Sequence, residues 1–210
     1  MNDQSPFSLI HSDYKRYIAS TGGESSNPLA PVFFSQGLWA SSVYRLSHFS
    51  TIMKPKWLGR IIRVFFLFVE KFVEIVTGIR IPGECEIGRG LYIGHFGPII
   101  LNSQTRIGAN CNLSQGVTIG VVQAGQNKGT PTIGNRVYIG PNSIIIGKIT
   151  IADDAVIGAG SVVTNDVPER AVVAGNPAKI ISFKGSFGLV NYESMDSDPE
   201  RQNSLNAREQ

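Results

Sequence analysis

The sequence predicts a parallel β-helix preceded by a small helical region, and three observations carry that prediction. From residue 81 onward apolar residues recur every six positions, glycine often follows them, and before residue 80 the apolar spacing is helical instead. With 210 residues and 42% hydrophobic content, the chain can bury one domain with appendages or two small ones. A net charge of +3 from 19 basic and 16 acidic residues is too balanced for a general nucleic-acid binder.

Residues 1–78 form the helical region. The opening MNDQSPFSLIHSDYKRY has no basic stretch followed by an apolar one, so no export signal is expected and a cytoplasmic location is. In WLGRIIRVFFLFVEKFVEIVTG, residues 57–78, Arg60, Arg63, Glu70, Lys71 and Glu74 interrupt the apolar run. It falls short of a membrane span, which needs about 20 predominantly apolar residues. The charges recur at near-helical spacing and leave Ile61, Phe65, Phe68, Phe72 and Ile75 on the opposite side, so an amphipathic helix is predicted. The expectation is that this stripe packs on the protein and the charges face water. The alternative is peripheral contact of residues 54–76 with the inner face of a membrane, because Ser25 to Val69 holds no acid and five bases.

Residues 79–181 carry the repeat. Ile81, Ile87, Ile93 and Ile99 open four steps; after a slip of two residues Ile107, Leu113 and Ile119 open three; after a longer excursion Ile133, Ile139, Ile145, Ile151, Ile157 and Val163 complete the series. Openers are expected to point inward and stack coil on coil, with the following glycine allowing a tight corner. Cys85 and Cys111 fall at the fifth position of a step, which assigns them to the stack rather than to catalysis. The helices close one end and the run after Val163 the other, and a self-association surface is implied.

Function is sought where the period fails, since insertions into a solenoid emerge as loops. LNSQTR, residues 101–106, holds Asn102 and is read as the first slip. GVVQAGQNKGTPT, residues 120–132, holds Thr130 and is long enough to fold over a cleft. His95, in LYIGHFGPII, takes the third position of its step and so lies outside the inward stack. His48 is assigned to helical packing, and three scattered histidines do not make a zinc site, so no metal is expected. After Val163 the period breaks at Pro168, Gly175 and Pro177, where the chain is read as leaving the solenoid, and residues 182–210 are expected to be a polar, mobile tail.

The hexapeptide steps, GSVVTNDVP and AGNPAKI resemble the left-handed β-helix acyltransferases. YRLSHF, IGRGLYIGHFGPII, QGVTIG, PTIGNRVYIG and IGAGSVV are similar to the serine acetyltransferase branch, across roughly residues 43–181. The resemblance implies a left-handed coil, a homotrimer, acetyl-CoA held between neighbouring coils, and His95 as general base. Gly140, Pro141, Ala159, Thr164 and Lys179 match positions that line the CoA channel in related acyltransferases, with Lys179 near a phosphate. The chemistry agrees, because a hydroxyl attacks a thioester well only when a base takes its proton, and histidine suits that task near neutral pH. Backbone N–H groups are expected to stabilise the oxyanion.

Departures from that branch bear on the acceptor. Gly94 stands where serine acetyltransferases carry an acid, Thr130 where they carry a second histidine, and Arg80 where an aspartate orients the imidazole. A site without these groups has lost partners for a zwitterion, so the expected acceptor is a sugar or polysaccharide hydroxyl, lined by Gly94, Asn102 and Thr130. Serine O-acetylation with a rearranged site is the alternative, and a non-catalytic scaffold a third reading. The terminal Arg208-Glu209-Gln210, in place of the isoleucine that usually docks a cysteine-synthesising partner, leans against serine. Glu86 or a group from a neighbouring chain is the candidate to orient His95.

Overall fold

The computed structural model describes residues 5–20, 27–193 and 195–206. Four helices, α1 (Pro6–Ser20), α2 (Ala30–Phe34), α3 (Gln36–Ile52) and α4 (Lys56–Thr77), precede the β structure. The first coil of a solenoid has no coil before it, so its outer N–H and C=O groups need other partners. Side chains of α1 and α3 supply them. Tyr44 donates its hydroxyl to the Cys85 carbonyl at 2.8 Å, Tyr17 donates to Ile93 at 3.0 Å, and the Leu91 N–H donates to Asp13 at 2.8 Å. Arg45 donates to the Ile87 and Gly88 carbonyls and closes a two-pronged ion pair with Asp13, 3.0 Å on each prong, both side chains being almost wholly excluded from solvent. His48 does sit in this packing, its Nδ1 being 2.9 Å from the Gly83 carbonyl.

The orientation of α4 reverses the expectation drawn from its amphipathicity. Its polar stripe faces inward: Arg63 donates to Ser47 at 2.8 Å, to Glu70 at 2.9 Å and to Glu84 at 2.8 Å, and Glu70 accepts the Gly83 N–H at 3.1 Å. Gly59 is the close approach to α3, where a Cβ would lie 2.6 Å from the Ser50 carbonyl oxygen. The apolar stripe is left outside, with Phe68 74% and Ile75 76% exposed. Packing with α3 therefore selects Gly59 and the Arg63 network over the wider apolar arc.

Each coil of the solenoid gives one strand to each of three sheets. The first coil contributes β1 (Ile79–Arg80), β2 (Glu86–Ile87) and β3 (Tyr92–Ile93); the second β4 (Ile99–Leu101), β5 (Arg106–Ile107) and β6 (Asn112–Leu113). The third contributes β7 (Thr118–Gly120), β8 (Thr132–Ile133) and β9 (Tyr138–Ile139); the fourth β10 (Ile144–Ile146), β11 (Thr150–Ile151) and β12 (Val156–Ile157). Then follow β13 (Val162–Val163), β14 (Val172–Gly175) and β15 (Ala178–Ser182). The sheets run β1-β4-β7-β10-β13, β2-β5-β8-β11 and β3-β6-β9-β12-β14-β15, parallel except for the last pair. All thirteen step openers are buried, as the inward stack requires; each is worth about 1.5–3 kcal/mol of apolar burial.

Register moves the first slip. Leu101 pairs with Ile119, which pairs with Ile145 and through it with Val163. Leu101, not Ile99, thus occupies the stacking column, and the two extra residues lie between Ile93 and Leu101 rather than in residues 101–106. The glycines also act differently from expectation. Those after the openers avoid the left-handed region, and Gly88, Gly108, Gly134 and Gly140 are required for space: a Cβ at Gly108 would lie 2.6 Å from the Gly134 backbone, and one at Gly140 2.8 Å from Ala159 N. Left-handed corners fall elsewhere, at Asn110, Arg136, Asp154 and Arg170 among others.

The segment after Val163 completes a further coil before departing: Val167 bridges Ile151, and β14 pairs with β12. The residues that follow are not a loose tail. Val190 is fully buried, Arg201 donates to the Val190 and Phe187 carbonyls at 2.9 and 2.6 Å, and α5 (Pro199–Asn206) brings Glu200 to Arg136 at 3.0 Å and Ser204 to Asp154 at 3.1 Å. From α1, Arg16 reaches the Asn191 carbonyl. A polar composition that suggests mobility is here spent on hydrogen bonds to the solenoid's corners. Residues 207–210 lie outside the described ones.

Candidate active site

His95 stands on the two-residue enlargement of the corner joining β3 to β4. That corner is fixed from behind by the end of α4: Gly97 N–H donates to the Thr77 carbonyl and Ile99 N–H to the Gly78 carbonyl, each at 3.1 Å. Gly97 adopts φ 129°, open to glycine alone, and permits the excursion. The imidazole is exposed, and among the described residues it makes no hydrogen bond. Glu86 does not orient it; that carboxylate lies on the second sheet, 3.2 Å from Arg106. Gly94 is hemmed by Tyr92, whose Cε1 would be 3.3 Å from an added Cβ and whose ring packs on Tyr17 at 4.8 Å.

The sequence-derived site residues fall on two edges of the solenoid. Strand register places Ser114, Gly140 and Gly158 in one column after the third sheet, and Gln115, Pro141 and Ala159 in the next; Gly94 and His95 stand at the same corner of the first coil, on its enlargement, where Gly97 comes against Gln115. His95, Gly140, Pro141 and Ala159 therefore share an edge of the solenoid, the last three on neighbouring coils. Lys179, exposed on β15 opposite Ala174, extends this side to its far end. Gln115 is a member of the column that the sequence reading passed over; only the register reveals it.

Asn102, Thr130 and Thr164 lie on the other edge, between the first and second sheets. Thr130 Oγ1 donates to Asn102 Oδ1 at 3.4 Å, and the long loop, cinched by the Val122–Gly129 bridge, reaches down so that Asn127 donates to the Thr164 carbonyl at 3.3 Å. The first sheet separates the two edges within one chain. A cavity of about 540 Å³ opens between α4 and that sheet, with Arg63, Glu70, Glu74, Arg80 and Asn102 in its walls and His95 outside them. Cys85 and Cys111 are fully buried in the stack. Burial pushes both thiols up to about 12, which keeps them protonated and poorly nucleophilic.

Residues 130–165 match the family described as Bacterial transferase hexapeptide (six repeats). The serine acetyltransferase of Helicobacter pylori (strain ATCC 700392 / 26695) is 33% identical over 146 residues, 70% of this chain and 81% of that protein. The chain belongs to the hexapeptide-repeat acyltransferases, in their serine acetyltransferase-like branch. Among solved members of this branch, soybean serine acetyltransferase complexed with serine superposes with a TM-score of 0.73 at 27% identity, covering 85% of this chain and 70% of that one. The Brucella abortus strain S19 enzyme in complex with coenzyme A gives 0.73 at 25% identity, covering 86% and 69%. These hexapeptide acyltransferase relatives overturn the expected sugar or polysaccharide acceptor. The error was physical: three missing charged groups describe three positions, whereas a zwitterion needs one cation and one acid anywhere near the base.

Proposed function

We propose that this chain is a serine O-acetyltransferase, moving the acetyl group of acetyl-CoA to the serine hydroxyl with His95 as general base. The observation that carries the reading is the shared edge, where an exposed imidazole on the enlarged first corner lies on the same side of the solenoid as Gly140, Pro141 and Ala159. Small residues along that edge leave room for the pantetheine arm, and Lys179 at its end offers a cation to a phosphate. The unprotonated imidazole nitrogen takes the hydroxyl proton as the serine oxygen bonds to the thioester carbon. The tetrahedral intermediate then expels the CoA thiolate, which recovers the proton from the imidazolium.

Asn102, Thr130 and Thr164 enter the same reading through a homotrimer of left-handed coils, in which this edge of one chain faces the His95 edge of the next. Exposed Ile100 and Ile144 on the outer face of the first sheet favour such cover. The test is release of CoA from acetyl-CoA in the presence of serine. His95→Ala is expected to lower the rate by about 10²- to 10⁴-fold. No serine-dependent release by protein that binds acetyl-CoA overturns the acceptor, and an undiminished His95→Ala rate overturns the base.

A further inference from the structure

The outward face of α4 has no role in the site just described, yet it presents a continuous row of large apolar side chains to solvent. Trp57, Ile61, Phe65, Phe68, Phe72 and Ile75 are all exposed and line one side of the helix. At 1.5 Å per residue the strip is about 30 Å long. Folding has not left it out by default, because the opposite stripe is anchored by Arg63 to Ser47 and Glu84 and by Glu70, which accepts the Gly83 N–H. Rotating the helix to bury the phenylalanines would strand those ions.

We propose that this face docks the protein on an anionic phospholipid surface, with α4 lying in the plane of the interface. Three observations select lipid over a second copy of the helix. Val64 and Val76, exposed beside the aromatic residues, widen the strip beyond the narrow apolar seam by which a helix selects a helical partner. The strip is aromatic-rich, as side chains at the headgroup boundary are. Lys54, Lys56 and Arg60 are exposed at its N-terminal end, and the chain carries no acid from Ser25 to Val69 to offset them. The other bases of that stretch, Arg45 and Arg63, are already paired. No helix among the described residues is long and apolar enough to cross a membrane, so the contact is parallel to the surface.

The experiment is flotation of the full chain with vesicles of phosphatidylcholine alone or with about 30% phosphatidylglycerol, a readout independent of any acetyl transfer. The protein is expected to float with the anionic vesicles, at least about tenfold more than with the neutral ones, and to be partly released by salt. The variant Phe65→Ser/Phe68→Ser/Phe72→Ser should lose the binding while keeping its circular dichroism. Should that variant misfold, Lys54→Glu/Lys56→Glu/Arg60→Glu, altered only at exposed sites, should lose the preference for anionic vesicles. Wild-type protein that stays in solution with both vesicles overturns the proposal. So does a larger assembly that ignores vesicles and that the serine variant dissolves, which would assign the face to a second copy.

Discussion

At the scale of single residues, six-fold spacing announces which side chains are inside, and it marks His95 as outside. The same spacing could not say on which side of the corner the extra pair of residues lies, because Ile99 and Leu101 are both apolar and both buried. Only pairing with Ile119 decides for Leu101. The cysteines were legible from their place in the step, and their chemistry follows from it. A thiol reagent at about pH 8 is expected to leave both untouched in the folded protein and to react with both after unfolding, which mass spectrometry distinguishes. Their raised values also carry a sign. Unfolded thiols titrate near about 8.5, so the folded state holds protons that the unfolded state loses above that value. The thiols' contribution is complete below about 8.5 and is lost as pH climbs toward the folded value of about 12. Urea midpoints measured across that window should fall for wild type, and fall less for Cys111→Ala.

At the scale of elements, α4 shows what amphipathicity leaves open. A helix with two faces announces that they differ, not which one the protein will claim. The partners that claim the polar face, Ser47 and Glu84, sit in other elements and leave no trace in the helix's own spacing. The link from α1 to α3 is a comparable case. Asp13 and Arg45 stand 32 residues apart, and neither carries a signal of being buried. Removing one member leaves the other unpaired in the interior, so Asp13→Ala is expected to cost about 3–5 kcal/mol in urea denaturation. A loss under about 1 kcal/mol would show that the first coil does not depend on this cap.

At the scale of the molecule, the fold was legible because repetition multiplies a weak local signal thirteen times. The C-terminal packing was not, since its hydrogen bonds join residues such as Ser204 and Asp154 that no period relates. The acceptor was misread for a similar reason: what replaces an absent group is set by the assembled surface. The proposed trimer predicts a mass about three times the 22.7 kDa of one chain by light scattering, and a monomeric mass with full activity would exclude a site shared between chains.

The antiparallel β15 has a consequence for that assembly. A parallel ladder that simply stopped would offer the next molecule a ready template, and identical solenoids could add end to end into fibres. By doubling back along β14, the chain changes the spacing of its last exposed hydrogen-bonding groups and sets the charge of Lys179 among them. On the third sheet the ladder is thereby closed to a further parallel strand, which favours association of the proposed trimer through the faces of the prism over stacking end to end.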